Sequence, residues 1–305
     1  MSVSVSESAL VEVGRWLAAR GYQFVTVTPE THRRVVARAV PATSLRDVFG
    51  WSRPFDAALL PVEILAALRR AEAVVERDGL LAATVRFSSL DGGLYVHSAY
   101  PTRDEASVFF GPDTYRFAAL LSREVGHALR VVDLGCGSGA GGLVLASRVR
   151  EIVLADINPA ATRFARVNAE LAGVANRTTV VQGDLFAPVE GPFDLAIANP
   201  PYLVDAEQRT YRDGGGDLGM GLAVRIVRES LDRLAPGGRL ILYTGAPIAA
   251  GEDRVRAAIA PLLDARGARW RYEELDPDVF GEELDTPAYA SVDRIAAVGL
   301  VASVP

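Results

Sequence analysis

From about Phe109 onward, short apolar segments alternate with segments of helical spacing, and this alternation constrains the fold more than any other feature of the chain. The segments that predict strands are Arg130–Leu134, Ile152–Ala155, Thr178–Gln182, Phe193–Ala198, Arg239–Tyr243 and Ser291–Val301. The segments that predict helices are Ala140–Arg148, Pro159–Leu171 and Leu222–Leu234. Apolar strands that alternate with helices indicate a parallel sheet covered on both faces. Ligands of such sheets bind at the carboxyl ends of the strands, in the connecting loops.

Residues 1–108 have a different pattern, which predicts a smaller α+β domain before a second domain at residues 109–305. Apolar residues recur at helical spacing in Ser6–Ala19 and Leu60–Val75. Leu80–Ser88 and Gly93–Ser98 read as two strands around the turn-forming segment Leu90–Gly93. Helices followed by a hairpin resemble a winged-helix arrangement, and a plain packing domain is the alternative. In either case we expect an accessory domain that recognises substrate.

Composition excludes several classes of protein. The chain has no apolar run long enough for a membrane span and no signal-peptide pattern at its start, so we expect a cytoplasmic protein with no membrane partner. The single cysteine, Cys136, and three widely spaced histidines predict neither a disulfide nor a metal site. Arginine and acidic residues balance over residues 1–110, so the net charge of −6 belongs to the rest of the chain. This charge distribution argues against an extended electrostatic surface that binds nucleic acid.

A glycine-rich segment follows the first strand of the second domain. Asp133 closes that strand, and Gly135, Cys136, Gly137 and Gly139 come directly after it. Glycines are needed where a backbone turns sharply and approaches a ligand closely, and the free amides that open the next helix suit a polar ligand group. Cys136 is interpreted as a small residue that fills this loop.

Acidic residues follow the second and third strands. Asp156, followed by Ile157, is placed to accept hydrogen bonds from both hydroxyls of a ribose. Asp184 and Leu185 occupy the equivalent place after the third strand, where Asp184 is either a ligand contact or a turn cap. Because Gly137–Gly142 also satisfies the dinucleotide fingerprint, the glycines alone leave an NAD-dependent oxidoreductase open.

The fourth strand leads into Asn199, Pro200, Pro201 and Tyr202. Two prolines after an asparagine make a stiff segment that leaves the sheet with few accessible conformations. Asn-Pro pairs also end strands without any further role. Placement at the predicted ligand cleft favours a functional reading of the segment.

In this order, the glycine loop, Asp156 and the Asn-Pro-Pro-Tyr segment resemble the class I S-adenosylmethionine-dependent methyltransferases that modify a nitrogen conjugated to a planar group. The resemblance covers residues 109–245. It implies a Rossmann-like, mostly parallel seven-stranded sheet with S-adenosylmethionine as the cofactor, bound by the loop residues, Asp156 and Asp184. It also implies direct in-line methyl transfer, with Asn199 and the Pro200 carbonyl gripping the target nitrogen and Tyr202 stacking on the planar group.

Two segments beside these motifs complete the predicted site. Phe110–Tyr115 precedes the first strand, where related enzymes close the methionine pocket, so Thr114 is a further cofactor candidate; an ordinary turn is the alternative. Tyr211–Gly219 is rich in glycine and predicts either a lid over the substrate or a plain mobile loop.

The resemblance leaves the methyl acceptor open. Acidic character and the Gly-Gly-x-x-Gly segment are similar to release-factor glutamine methyltransferases, but the predicted hairpin and the strand ending Leu242–Gly245 depart from that group. A base amine in RNA or DNA is the equal alternative, with the candidate contacts Arg33, Arg34, Arg38, Arg69, Arg70 and Arg77. A small-molecule amine, and a non-catalytic regulator that binds the cofactor, are less favoured. The sequence leaves the oligomeric state open.

Overall fold

The computed structural model describes residues 4–38, 41–102 and 104–305. Its helices are α1 Val5–Ala18, α2 Pro29–Val36, α3 Leu45–Phe49, α4 Val62–Arg70, α5 Pro112–Glu124, α6 Ala140–Val144, α7 Pro159–Leu171, α8 Gly221–Arg233 and α9 Arg254–Ala265. Its strands are β1 Val74–Arg77, β2 Leu80–Ala83, β3 Val85–Leu90, β4 Gly93–Ser98, β5 Ala128–Leu134, β6 Val149–Asp156, β7 Thr178–Gln182, β8 Phe193–Ala198, β9 Leu234–Ala249, β10 Glu252–Asp253, β11 Arg269–Asp276 and β12 Arg294–Ser303. None of the helices within these residues is long and apolar enough to cross a membrane.

The N-terminal region contains α1 to α4 and two antiparallel hairpins, β1–β2 and β3–β4. Helix α1 begins at a capping box in which Ser4 and Glu7 satisfy each other's backbone amides. Its apolar face, including Leu10, Val13 and Leu17, is fully buried.

Several predicted elements are wrong in extent. The strand predicted over Arg239–Tyr243 is longer at both ends, Leu234–Ala249. The helix predicted over Leu60–Val75 ends at Arg70, because Glu72 adopts a positive φ of 57° and turns the chain into β1. The single strand predicted over Leu80–Ser88 divides at Thr84 into β2 and β3, which pair with different partners. The helix predicted over Ala140–Arg148 ends at Val144, after which residues 145–148 form a turn before β6.

The central sheet confirms the predicted Rossmann-like fold. Its long strands run in the order β11-β12-β9-β8-β5-β6-β7, and the two-residue β10 extends the end of β9. From β7 to β9 every neighbouring pair is parallel, whereas β12 is antiparallel to both β9 and β11. The order reverses between β5 and β8, so a crevice forms where the loops after these strands leave in opposite directions.

Alternate residues of each central strand enter different cores. Val131 of β5 packs with α5, α6 and α7 residues on one face, and Val132 packs with α8 and α9 residues on the other. Strands buried on both faces read as continuous apolar runs, which explains why the sequence pattern located them well.

The N-terminal region packs directly on the sheet domain through α7. Ala161, Phe164 and Val167 of this helix share one buried cluster with Leu10 and Leu17 of α1. Helix α7 therefore has two roles, since its other face covers the sheet through Ala165 and Ala169. The boundary at residue 108 and the winged-helix resemblance stay predictions.

A polar contact reinforces this junction. The side-chain amide of Asn168, 1% exposed, accepts from the Val96 N–H of β4 at 2.8 Å and donates to the Val96 carbonyl at 3.0 Å. It donates as well to the Ser138 carbonyl of the glycine loop at 2.8 Å. One side chain therefore joins the β3–β4 hairpin to the loop beside the cleft.

Candidate active site

A cavity of about 430 Å³ lies at the carboxyl ends of β5, β6 and β8. This volume is in the range of small-molecule sites, roughly 300–1,000 Å³. Its walls include most of the residues predicted from the sequence: Thr114, Asp133, Gly135, Cys136, Gly137, Asp156, Ile157, Asp184, Leu185, Asn199, Pro200, Pro201 and Tyr202. The structure thus brings both predicted groups, the cofactor residues and the Asn-Pro-Pro-Tyr segment, to one cleft.

The glycine loop is fastened to the neighbouring strand. The amides of Gly135 and Cys136 both donate to the Ala155 carbonyl at the end of β6, at 2.9 and 3.1 Å. Gly137 has a φ of +54°, which favours glycine, and its amide donates to Oδ2 of Asp156 at 2.8 Å. Gly139, predicted as a cofactor contact, lies behind the loop, where a Cβ would stand 2.9 Å from Cδ1 of Leu154.

Asp133 supports this loop from below. It is 2% exposed, and its Oδ2 accepts the Gly142 amide at 2.8 Å. Burial, together with the nearby negative charge of Asp156, raises the pKa of Asp133 to about 7. Phe117 and the Asp133 carboxylate would lie within 2.6 and 2.8 Å of a Cβ at residue 141, so only glycine fits there.

Asp156 keeps free acceptor capacity toward the cleft. Its Oδ2 accepts the Gly137 amide and its Oδ1 accepts the Asn158 amide, each at 2.8 Å. Burial raises the pKa of Asp156, while the backbone amides oppose that shift. Because an ionised carboxylate has about four acceptor positions, roughly two remain for hydroxyl groups of a ligand.

Beyond Asp156, the cleft has one apolar and one charged wall. Ile157 is 58% exposed and lines the cavity, so it gives the cleft an apolar surface next to Asp156. Asp184 makes a two-bonded ion pair with Arg225 of α8, at 2.9 and 2.7 Å, and Leu185 is buried beside it. Thr114 accepts the Gly111 amide through its hydroxyl at 3.2 Å.

The Asn-Pro-Pro-Tyr segment leaves the end of β8 at the floor of the cleft. Asn199 is half-buried, and its side-chain amide makes no hydrogen bond with any residue that the structure describes. Pro200 and Pro201 each have a fixed φ, so the backbone that follows Asn199 is stiff. Asn199 therefore presents a free carbonyl oxygen and a free amide to whatever occupies the cleft.

Tyr202 is held on several sides. Its hydroxyl donates to Oδ2 of Asp113 at 2.5 Å, and its ring meets the ring of Phe280 edge-on at 5.8 Å. A Cβ at Gly245 of β9 would stand 2.1 Å from Cδ2 of Tyr202, so the ring lies directly on the strand backbone. The residue is 6% exposed and borders the cavity.

Two segments meet over the cleft and form what we call the roof: residues 99–102 with 104–108, and residues 203–213. The Tyr211 hydroxyl donates to the Thr102 carbonyl at 2.7 Å, and the Thr210 hydroxyl donates to the Glu105 carbonyl at 2.9 Å. Asn158, next to the cofactor residues, holds the first segment through the Ala106 carbonyl at 3.0 Å. The predicted glycine-rich lid thus begins in a loop that is already fastened across the cleft.

Ion pairs hold the second roof segment beside the cleft. Arg209 binds Asp205 through two nitrogen atoms, at 2.8 and 2.5 Å, which lowers the pKa of Asp205. Arg212 pairs with Glu283 and lies 3.6 Å from Asp205. Both arginines at the cleft mouth are therefore neutralised by carboxylates.

The arginines predicted as nucleic-acid contacts in the N-terminal region are partly neutralised as well. Arg33 and Arg34 both pair with Glu30 on α2, and Arg70 pairs with Glu12 of α1. Arg38, Arg69 and Arg77 are exposed. Three of the six arginines are therefore paired with carboxylates among the described residues.

Sequence reasoning missed three contributors to the cleft. Asp113 lies in the predicted segment Phe110–Tyr115, directly before Thr114, but it was given no role because an aspartate at the start of a helix reads as a cap. Phe280 and the first roof segment carried no motif. Phe280 has a φ of +54°, a conformation that non-glycine residues adopt mainly where surrounding contacts impose it.

Comparison with known proteins places these features in a family. The model of the methyltransferase small domain matches residues 114–250. A release factor glutamine methyltransferase of Deinococcus radiodurans is 31% identical over 66% of this chain and 73% of its own length. Ribosomal RNA small subunit methyltransferase C of Chromohalobacter salexigens is 35% identical over 38% of this chain and 32% of its own. The tRNA m1G37 methyltransferase of M. jannaschii shares the fold with a TM-score of 0.51, at 16% identity over 72% of this chain and 57% of that chain.

Proposed function

The chain belongs to the class I S-adenosylmethionine-dependent methyltransferases, and we propose that it transfers the methyl group to the side-chain amide nitrogen of a glutamine in a protein. One observation carries the proposal: the side chain of Asn199, without a partner among the described residues, faces the cofactor cleft from the end of β8. An amide side chain can accept a hydrogen bond from an acceptor N–H through its oxygen and donate to the acceptor's carbonyl through its nitrogen.

The cleft fits S-adenosylmethionine on three counts. The loop backbone at Gly135 borders open space, with no atom within 4 Å of a Cβ built there. Asp156 retains acceptor positions for the ribose hydroxyls, and Ile157 offers an apolar surface for the adenine ring. When bound, S-adenosylmethionine supplies a methyl group on a positively charged sulfur that departs as a neutral thioether.

The protein's own residues address the weak nucleophilicity of an amide nitrogen, whose lone pair is delocalised into the carbonyl. In this proposal Asn199 Oδ1 and the Pro200 carbonyl accept its two N–H groups. That grip favours a pyramidal nitrogen with its lone pair directed at the methyl carbon, and it stabilises positive charge that develops on nitrogen. The methylated nitrogen then loses a proton, so a base acting before transfer is unnecessary. Tyr202 gives the planar amide a rigid wall.

Charge favours a protein over a nucleic acid as the acceptor. Nucleic-acid binding depends on cations that neutralise phosphates, and the two arginines at the cleft mouth, Arg209 and Arg212, are already paired with Asp205 and Glu283. A glutamine side chain is thin and uncharged, and it needs only the space between the roof and the Asn-Pro-Pro-Tyr segment. The glutamine methyltransferase relative, matched over 73% of its length, supports the same choice.

The test is methyl transfer from labelled S-adenosylmethionine to a purified bacterial release factor, with total RNA as the parallel acceptor. Label in the release factor, located at glutamine by mass spectrometry, is the expected result. We expect Asn199→Ala to lower turnover by about 100-fold while the Kd for S-adenosylmethionine, measured by calorimetry, stays within about twofold. The matched control is Asn176→Ala, which removes an exposed asparagine from a turn outside the cleft.

Two outcomes contradict the proposal. Label in RNA alone would move the acceptor to a base amine. Loss of cofactor binding together with turnover in Asn199→Ala would remove Asn199 from acceptor recognition.

A further inference from the structure

One buried carboxylate at the cleft has no place in the scheme above. Asp113, at the start of α5, is 5% exposed and borders the cavity. Its Oδ2 accepts the Tyr202 hydroxyl at 2.5 Å. Its Oδ1 accepts the Tyr243 hydroxyl at 2.7 Å and Nη1 of Arg116 at 3.0 Å.

The two oxygens of this carboxylate face different parts of the protein. Oδ1 is bound to the scaffold, because Tyr243 is a fully buried residue of β9 and Arg116 is tied in turn to Asp276 of β11 at 2.7 Å. Oδ2 is bound to the last residue of the Asn-Pro-Pro-Tyr segment. Asp113 is therefore a bridge from fixed strands to the acceptor side of the cleft.

The ring of Tyr202 also packs on the bare backbone at Gly245 and against the edge of Phe280. Both are apolar contacts, so the bond from the hydroxyl to Asp113 is the directional contact of this side chain among the described residues. A charge-assisted hydrogen bond is about twice as strong as a neutral one and strongly directional. Burial and the charge of Asp113 raise the pKa of Tyr202, so its hydroxyl remains a proton donor.

We propose that Asp113 is a positioning residue of the methyl-transfer reaction: through the Tyr202 hydroxyl it fixes the ring that orients the planar acceptor next to Asn199. The proposal rests on the function proposed above, because it assigns the Tyr202 ring to the acceptor. It predicts that the Tyr202 hydroxyl contributes to methyl transfer only through its hydrogen bond to Asp113. It also predicts that disturbing this bond affects the acceptor and leaves the cofactor bound as before.

The experiment is a double-mutant cycle on the full-length protein with Asp113→Asn and Tyr202→Phe. We expect each single variant to lower kcat/KM for the acceptor by about tenfold or more, the range for a buried hydrogen bond to a charged group. Because both changes break the same bond, the double variant should lose no more than the stronger single variant. The Kd for S-adenosylmethionine should stay within about twofold of the unmodified protein in all three.

Tyr243→Phe is the matched control, since it removes the same group from the other oxygen of the same carboxylate. Arg116 still holds Oδ1 in that variant, so Oδ2 keeps its direction toward Tyr202. Both tyrosine variants should lose thermal stability, but only Tyr202→Phe should lose turnover. A second readout is independent of turnover: 3-fluorotyrosine at position 202 should give one sharp ¹⁹F signal in the unmodified protein and a broadened or shifted one in Asp113→Asn.

Additive losses in the double variant would overturn the proposal, as would an equal fall in kcat/KM in Tyr243→Phe, which would mean a purely structural role. An unchanged ¹⁹F signal in Asp113→Asn would overturn it too. Failure of the proposed function would be seen differently, because the unmodified protein would then methylate no glutamine. The ¹⁹F comparison would still show whether Asp113 holds the ring of Tyr202.

Discussion

Replacing Asp133 by asparagine tests the electrostatics beneath the glycine loop. The carboxylate is almost fully buried and its pKa is raised from 3.8 to about 7. A carboxyl group with a raised pKa binds its proton more tightly in the folded than in the unfolded chain. Its contribution to stability is therefore fully present below pH 3.8 and is lost as the pH rises through about 7.

The size of the effect follows from that difference. At about 1.36 kcal/mol for each pKa unit, Asp133 lowers the free energy of unfolding by at most roughly 4 kcal/mol between pH 4 and pH 8. Asparagine keeps the acceptor for the Gly142 amide but has no proton to lose. The Asp133→Asn protein should therefore lose less stability than the unmodified protein over this interval.

Urea unfolding at half-unit pH steps from 4 to 8, with both proteins free of cofactor, measures this difference directly. The quantity of interest is the difference between the two curves, because Asp205, Glu7 and Glu124 have lowered pKa values that act equally in both proteins. Asp156→Asn is the companion variant, since removing its charge should lower the pKa of Asp133 and reduce the slope in part. Parallel curves for Asp133→Asn and the unmodified protein would refute the reasoning.

Two further predictions concern the contacts around the cleft. Asn168→Ala leaves buried polar groups of Val96 and Ser138 without their partner, at about 1–3 kcal/mol each. We expect a lower urea midpoint together with a weaker Kd for S-adenosylmethionine by calorimetry, and a stability loss without any change in Kd would contradict the link to the loop. Tyr211→Phe removes the roof bond to Thr102, worth about 0.5–1.5 kcal/mol. Stopped-flow measurement should show faster cofactor dissociation, by about two- to tenfold, and an unchanged rate would mean that the roof does not retain the cofactor.

The sheet domain was predictable because its strands are buried on both faces. Thr178–Gln182 and Phe193–Ala198 are strands with the predicted bounds, and Pro159–Leu171 is a helix with the predicted bounds. Continuous apolar runs and a proline at the first helical turn are local signals that tertiary contacts rarely override.

The N-terminal region was less predictable because the turn that ends α4 uses an ordinary residue. Glu72 adopts a positive φ of 57°, although glutamate does not signal such a turn as glycine does. Ala71, Ala73 and Val74 continue the helical spacing of α4 past its real end at Arg70. The first two residues of β1, Val74 and Val75, were therefore predicted as the end of a helix, whereas β2 lies inside the predicted strand Leu80–Ser88.

The same contrast divides the candidate site. The predicted cofactor half consists of two short segments, the loop after β5 and the end of β6. Each is a local sequence motif, so both could be recognised from the sequence. The proposed acceptor half is local only in Asn199–Tyr202, which the sequence did select. The contacts that hold Tyr202 come from distant segments: Tyr202 meets Asp113 from 89 positions away and Asp113 meets Tyr243 across 130. No spacing rule connects residues that far apart, so the sequence identifies the Asn-Pro-Pro-Tyr segment but not the carboxylate that holds its tyrosine.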